Sequence, residues 1–257
     1  MKKLGTAALV AGWSLSELLL SPRTFAMAAL AATPLGLALA YRVALALRMT
    51  ESGGAGVFSA LVSGVYFPFL APMLSLVYAS GVVRDDLEAS TLPYFLTRPL
   101  GRPSFLLGKM AASYAMSVFL VHPSVVIVYY VVLAPSGFSG LGAGFPGLAR
   151  SLAVAAWGLV AYNGVFALAG TVLKRPLLAG LVFIFGWQAA ATFVPGRARF
   201  LTVSHYMSSL VPGAPAAGIL AAFGERSHAL TSILALAVIA GATHALAIAA
   251  FSNKEVR

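Results

Sequence analysis

Six long apolar runs dominate the chain and predict six membrane-spanning helices. Each run is close to the ~20 residues that a helix needs to cross a bilayer. Backbone groups in lipid must find hydrogen-bond partners within the protein, and the runs lack the period-2 alternation of barrel strands, so helices are expected. We place the spans near residues 24–44, 57–80, 110–133, 152–172, 177–194 and 229–251.

Two further segments are apolar but do not fit a full span. Residues 4–20 contain Trp13 and Glu17 and follow Lys2 and Lys3. This pattern predicts a helix lying in the cytoplasmic interface, with the indole at headgroup level; a seventh span is the alternative. Residues 200–224 include "VPGAPAAG", and these breaks predict a short re-entrant or interfacial element before the last span.

Composition supports the membrane assignment. The chain has 257 residues, of which 60% are hydrophobic and 9% charged, and its mean hydropathy is +0.91. Soluble domains carry about 25% charged residues, so we expect one all-α transmembrane domain over residues 1–257. The net charge of +10 comes from scattered Lys and Arg residues, which favours contact with membrane lipids over nucleic acid. The absence of cysteine excludes disulfides and thiolate metal sites.

The distribution of Lys and Arg predicts the orientation of the spans. With six spans, the N-terminal segment, the second loop, the fourth loop and the C-terminal segment lie on one side of the membrane. These segments carry eleven Lys and Arg residues, and the remaining loops carry six. Because cytoplasmic segments of membrane proteins are enriched in Lys and Arg, both termini are expected in the cytoplasm.

The second loop, residues 84–109, concentrates seven charged residues between two apolar spans. Within it, "STLPYFL" predicts a short helix, with Ser90 or Thr91 as N-cap and proline in the first turn. Apolar residues at positions i, i+3 and i+4 form one face of this helix: Leu92, Phe95 and Leu96. Such a helix either lies on lipid or docks into a groove of a partner protein.

The same loop resembles the signature of the membrane-spanning subunits of ABC exporters, the type 2 ABC permease family. That signature consists of two acidic residues, Gly-Thr-Leu, Leu-Leu, Pro with a small residue and Arg, and finally Leu-Gly-Lys. In this chain the matching letters, in register, are "DLEASTL" from Asp86, "FL" from Phe95, "PLGR" from Pro99 and "LGK" from Leu107. Ser90 stands where the family usually has Gly, and Pro93 follows the Thr-Leu pair.

The resemblance implies a coupling helix that docks into a separate ATPase subunit. Its implied contacts within the loop are Asp86, Glu88, Thr91, Leu92, Phe95, Leu96, Arg98 and Arg102. Lys174 and Arg175 are placed for a second contact, although they also fit simple positive-inside anchors.

The resemblance also implies an assembly and a location. Two ATPase subunits would bind ATP and Mg²⁺, and two permease chains would form a homo- or heterodimer. We expect a multi-pass protein of a prokaryotic plasma membrane.

ATP hydrolysis by this chain itself is not expected. A phosphate-binding loop requires G-x-x-x-x-G-K-[ST], in which backbone amides and the lysine surround the phosphates. The stretch "GRPSFLLGKM" has six residues between its glycines and Met110 in place of the hydroxyl residue. The chain is therefore predicted to be a non-enzymatic subunit without a cofactor of its own.

Four polar or ionisable residues within the predicted spans are candidates for a translocation path: His122, Asn163, Gln188 and His244. Such residues are costly in lipid and often functional. The alternative is that they form hydrogen bonds between helices. Two isolated histidines without a nearby carboxylate or thiol are poor metal ligands, so no metal site is predicted.

Two other classes of membrane protein remain as alternatives. A secondary carrier would usually show an internal repeat or a carboxylate within the spans, and neither is visible in the sequence. A membrane-embedded enzyme would need paired carboxylates, a Ser/His pair or a cluster of histidines at one depth. No such pattern occurs among the predicted spans.

Overall fold

The computed structural model describes residues 2–50, 53–88, 101–188, 190–191, 200–211 and 227–253, with the side chains of residues 2–4 and 85–88 outside the description. The α-helices in these ranges are α1 Lys2–Leu19, α2 Pro22–Ala31, α3 Thr33–Ala46, α4 Gly54–Leu61, α5 Ala71–Glu88, α6 Arg102–Leu133, α7 Gly137–Val172, α8 Pro176–Leu181, α9 Val203–Ser209 and α10 Ala229–Ser252. Two π-helical segments, Val62–Leu70 and Val182–Gln188, join α4 to α5 and extend α8. Strands are absent from these ranges, which confirms the all-α prediction for the described residues.

Four helical segments are long and apolar enough to cross a membrane: Pro22–Ala46, Gly54–Arg84, Arg102–Val172 and Ala229–Ser252. The third of them contains α6 and α7, which a turn at Ala134–Ser136 separates. Tyr114 of α6 donates to the carbonyl oxygen of Ala156 (3.4 Å), and Tyr129 donates to that of Leu141. Because the partner numbers fall as the donor numbers rise, α6 and α7 form an antiparallel hairpin.

Several helices extend further than the apolar runs that predict them. In the second run, α5 continues to Glu88 rather than ending near residue 80. In the third run, α6 begins at Arg102 rather than near residue 110. Hydropathy reports the apolar length of a segment, whereas a helix continues through polar residues that reach headgroups or water. The fourth helix begins at Gly137 rather than near 152, and the Tyr129–Leu141 hydrogen bond holds its added turns against α6.

The helices α5, α6 and α7 pack against one another and form the centre of the molecule. Around them, α1 and α3 pack mainly against α6, α10 against α7, and α8 against α5 and α7. The outer helices are less enclosed: 17% of an apolar 18-residue stretch of Ala229–Ser252 is buried, compared with 56% of the corresponding stretch of Gly54–Arg84. An exposed apolar surface of this kind fits contact with lipid or with a second chain.

Two of the central helices, α5 and α7, approach each other closely at Gly170. A Cβ atom added to Gly170 would lie 2.3 Å from the carbonyl oxygen and 3.1 Å from the Cα atom of Ser80. Small residues allow helix backbones in membranes to approach in this way, and the gain is van der Waals contact and not hydrophobic burial. Gly170 therefore sets the distance between α5 and α7.

We predict that Gly170→Ala lowers the thermal unfolding temperature of the protein in detergent. The added methyl group meets backbone atoms that cannot rotate away, and overpacking of this kind costs about 1–3 kcal/mol. Gly147→Ala in the same helix is the matched control, because nothing lies within 4 Å of its added Cβ. The control is expected to melt with the wild type or slightly above it. Equal melting of both variants would refute the close crossing.

Candidate functional site

Basic side chains from three parts of the chain meet at one end of the bundle. Arg23 at the start of α2, Arg84 near the end of α5, and Lys174 and Arg175 between α7 and α8 line one cavity of about 630 Å³. At the same end, Arg102 of α6 donates to the carbonyl oxygen of Ser252 (3.0 Å) at the end of α10. We call this the basic end. It brings together segments that the sequence analysis assigned to one side of the membrane.

The opposite end of the bundle collects a different set of segments. Arg150 of α7 lines a second cavity, about 600 Å³, together with Leu210 and Ala229. Val132 near the end of α6 lies next to Gly54 at the start of α4. Successive connections along the chain thus lie at opposite ends of the bundle, as an up-and-down arrangement of antiparallel helices requires.

The predicted docking residues are only partly described. Asp86 and Glu88 lie in the last turn of α5, and the side chains of both are outside the description. Five others lie outside the described residues altogether: Thr91, Leu92, Phe95, Leu96 and Arg98. Lys174 and Arg175 are exposed at the basic end. Arg102, predicted to be a contact at the rim of a partner, uses one guanidinium nitrogen to connect α6 with α10.

The Gly-Lys pair that closes the signature lies inside α6 and contacts α1. A Cβ atom on Gly108 would lie 2.5 Å from the carbonyl oxygen of Ala7 and 2.8 Å from the Cβ of Val10. Lys109 is 8% exposed. Its Nζ lies 5.9 Å from the ring centroid of Trp13 and 5.4 Å from that of Phe105, within the range of cation–π attraction. These contacts anchor the N-terminal helix on the helix that follows the loop.

Two of the four candidate path residues form hydrogen bonds between helices. Asn163 Nδ2 of α7 donates to Ser113 Oγ of α6 (2.6 Å), and the side chain of Asn163 is 1% exposed. Gln188 Nε2 donates to the Tyr162 hydroxyl (2.7 Å) and to Ser204 Oγ (3.1 Å). Of the two roles left open by the sequence, hydrogen bonding across helices is the one that these contacts display.

The two histidines lie in different settings. His122 is half-buried in the middle of α6, directly before Pro123. His244 is half-buried in α10, where its Nδ1 lies 2.8 Å from the carbonyl oxygen of Ala240 one turn earlier. This contact of His244 lies within its own helix and does not test the alternative of a bond to a neighbouring helix. Its ring also packs over Gly164 of α7.

Hydroxyl groups form a second set of links that the sequence analysis did not identify. The Tyr66 and Ser124 hydroxyls lie 2.7 Å apart, and Ser124 donates to the carbonyl oxygen of Ala31 (2.5 Å). Tyr78 donates to Thr24 Oγ1 (3.1 Å) at the start of α2. Serine, threonine and tyrosine are common in membrane helices, so no sequence signal distinguishes the members that pair.

No protein-family model matches this chain, and no curated protein matches it. Function is therefore inferred from the residues and from where the fold places them.

We predict that Gly108→Ala displaces α1 and lowers the thermal unfolding temperature. A methyl group at residue 108 would meet the backbone of Ala7 and the side chain of Val10, and overpacking costs about 1–3 kcal/mol. Gly12→Ala on α1 is the control, since its added Cβ meets nothing within 4 Å. Thermal unfolding in detergent compares the two variants. If Gly108→Ala is as stable as Gly12→Ala, α1 does not pack against α6 as described.

A double-mutant cycle tests the hydrogen bond between Asn163 and Ser113. We expect Asn163→Ala and Ser113→Ala to be coupled by about 0.6 kcal/mol, the average for such bonds between membrane helices. The measurement is the free energy of unfolding of the wild type, both single variants and the double variant in mixed micelles. Strictly additive effects would show that the bond does not contribute to stability.

Proposed function

We propose that this chain is the transmembrane permease subunit of an ATP-driven ABC exporter. The observation that carries the proposal is the signature from Asp86 to Lys109, in register over four separate parts. Two features of the fold support it. The loop leaves and re-enters the bundle at the basic end, and the Lys174–Arg175 turn lies at that same end.

The proposed topology has six crossings and an interfacial N-terminal helix. The crossings are α2 with α3, α4 with α5, α6, α7, α8 with its π-helical extension, and α10. Positive-inside bias assigns the basic end to the cytoplasm, and with it both termini. The membrane would be the plasma membrane of a prokaryote. In this arrangement α1 lies along the cytoplasmic end of α6.

The proposed mechanism transmits movement and involves no chemistry in this chain. Two partner ATPase subunits bind ATP with Mg²⁺ and close on it, and each pushes a helix near residues 90–97 of one permease chain in a homo- or heterodimer. The proposed contact lies in the segment between Glu88, at the end of α5, and Arg102, at the start of α6, and is therefore close in sequence to both helices. Both helices pack against α7, so a push on the loop is delivered to the centre of the bundle.

A secondary carrier or a membrane-embedded enzyme would leave the signature between Asp86 and Lys109 unexplained. Neither class requires an acidic pair, a Thr-Leu pair and a Gly-Lys pair in one register on a loop. A coupling loop requires an apolar anchor flanked by charges, because rim charges set the register while buried apolar residues supply the affinity.

We predict that an ATPase subunit co-purifies with the tagged protein from its native membrane in mild detergent and is lost with Phe95→Asp. A carboxylate in the apolar anchor of an interface costs 2 kcal/mol or more, roughly a thirtyfold loss of affinity. The matched control is Phe138→Asp, because the Phe138 side chain is 95% exposed and lies at the other end of the bundle. ATPase activity in the eluate is the readout.

Three results decide this test. Loss of ATPase activity with Phe95→Asp alone supports the proposal. Equal recovery with the wild type and both variants would mean that the loop is not the docking element. Absence of an ATPase from the wild-type eluate under several mild conditions would contradict the proposal and favour a carrier or an enzyme.

A further inference from the structure

The cavity at the basic end has two chemically distinct surfaces. Arg23, Arg84, Lys174 and Arg175 contribute positive charge, and no acidic residue is among the described residues that line it. Leu177, Leu178 and Leu181 of α8 form an apolar wall next to these charges. A volume of about 630 Å³ is within the range of small-molecule sites.

We propose that this cavity binds an anionic phospholipid, with its phosphate on the basic side chains and its acyl chains along α8. The inference requires only that the chain lies in a membrane, and it goes beyond the proposed transport function. Basic pockets between membrane helices are suited to anionic headgroups because the phosphate is neutralised at the depth where the acyl chains begin.

Lys174 and Arg175 are the principal phosphate ligands in this proposal. Both side chains are exposed in the turn before α8, whereas Arg23 and Arg84 also make interactions within the chain. The guanidinium group of Arg175 can form two parallel hydrogen bonds with phosphate oxygens, and Lys174 adds a compact charge. The remaining two arginines contribute to the positive potential of the cavity without having to contact the phosphate.

The apolar wall distinguishes a lipid from a soluble phosphate compound. The side chains of Leu177 and Leu178 are 51% and 58% exposed, and they follow the two basic residues directly in the chain. An inorganic phosphate would use the charges and leave this apolar surface uncovered. A phospholipid covers both surfaces at once, since its charged phosphate is joined directly to apolar acyl chains.

A binding titration tests the site directly. A fluorescent phosphatidylglycerol is titrated into the purified full-length protein in neutral detergent, with the phosphatidylcholine analogue as the uncharged reference. The cavity variant is Lys174→Gln/Arg175→Gln. The control is Arg42→Gln/Arg48→Gln, which removes the same amount of charge near the C-terminal end of α3. We expect about thirtyfold weaker binding to the cavity variant and wild-type affinity for the control. Thermal unfolding in neutral detergent checks that both variants fold.

Each outcome has a definite meaning. Preference of the wild type for phosphatidylglycerol, lost only in the cavity variant and unaffected by excess inorganic phosphate, supports the lipid site. Displacement by inorganic phosphate at concentrations similar to those of the lipid would assign the site to a soluble phosphate and overturn the lipid. Equal affinity for both lipids, or equal binding by both variants, would overturn the site. Unchanged lipid binding with loss of the co-purifying ATPase would make Lys174 and Arg175 protein contacts.

Discussion

The close crossing of α5 and α7 determines what lies at the basic end. Ser80 and Gly170 come within backbone contact there, and no side chain larger than hydrogen fits at Gly170. Arg84 follows Ser80 by one helical turn, roughly 6 Å, and Lys174 lies two residues beyond the end of α7 at Val172. The crossing therefore brings the exit of α5 and the turn after α7 to the same place. Ser80 at the crossing, together with Arg84, Lys174 and Arg175, lines the cavity.

Hydrogen bonds between helices add to the close packing that the small residues allow. Lipid supplies no hydrophobic force between helices, so van der Waals contact and interhelical hydrogen bonds must hold them. Asn163 connects α7 to α6, Gln188 connects the π-helical extension of α8 to α7 and α9, and Ser124 connects α6 to α2. The peripheral helices are thus tied to α6 and α7, the central hairpin. Movement of the hairpin would be shared by most of the bundle.

Hydropathy predicts much of this architecture and little of its contacts. The last run, 229–251, coincides with α10, and 4–20 coincides with α1, because a long apolar stretch has one stable form in lipid. The pattern does not show that residues 137–151 are helical, since their glycines and proline disfavour helix until α6 packs beside them. Nor does it show that Lys109 faces Trp13. Partner choice depends on the relative rotation of helices, which a one-dimensional pattern does not contain.

The placement of Gly108 and Lys109 changes how the signature is interpreted. Its acidic beginning lies in the last turn of α5, and its Gly-Lys end lies inside α6 against α1. The signature therefore does more than present a docking surface: its Gly-Lys end holds the N-terminal helix in place. A coupling loop that only needed to contact an ATPase would not require glycine at 108. It does require a fixed base, because a push on a loop moves the bundle only if the helices beneath it do not slide. The contact between α1 and α6 and the bond from Arg102 to Ser252 would each resist that sliding.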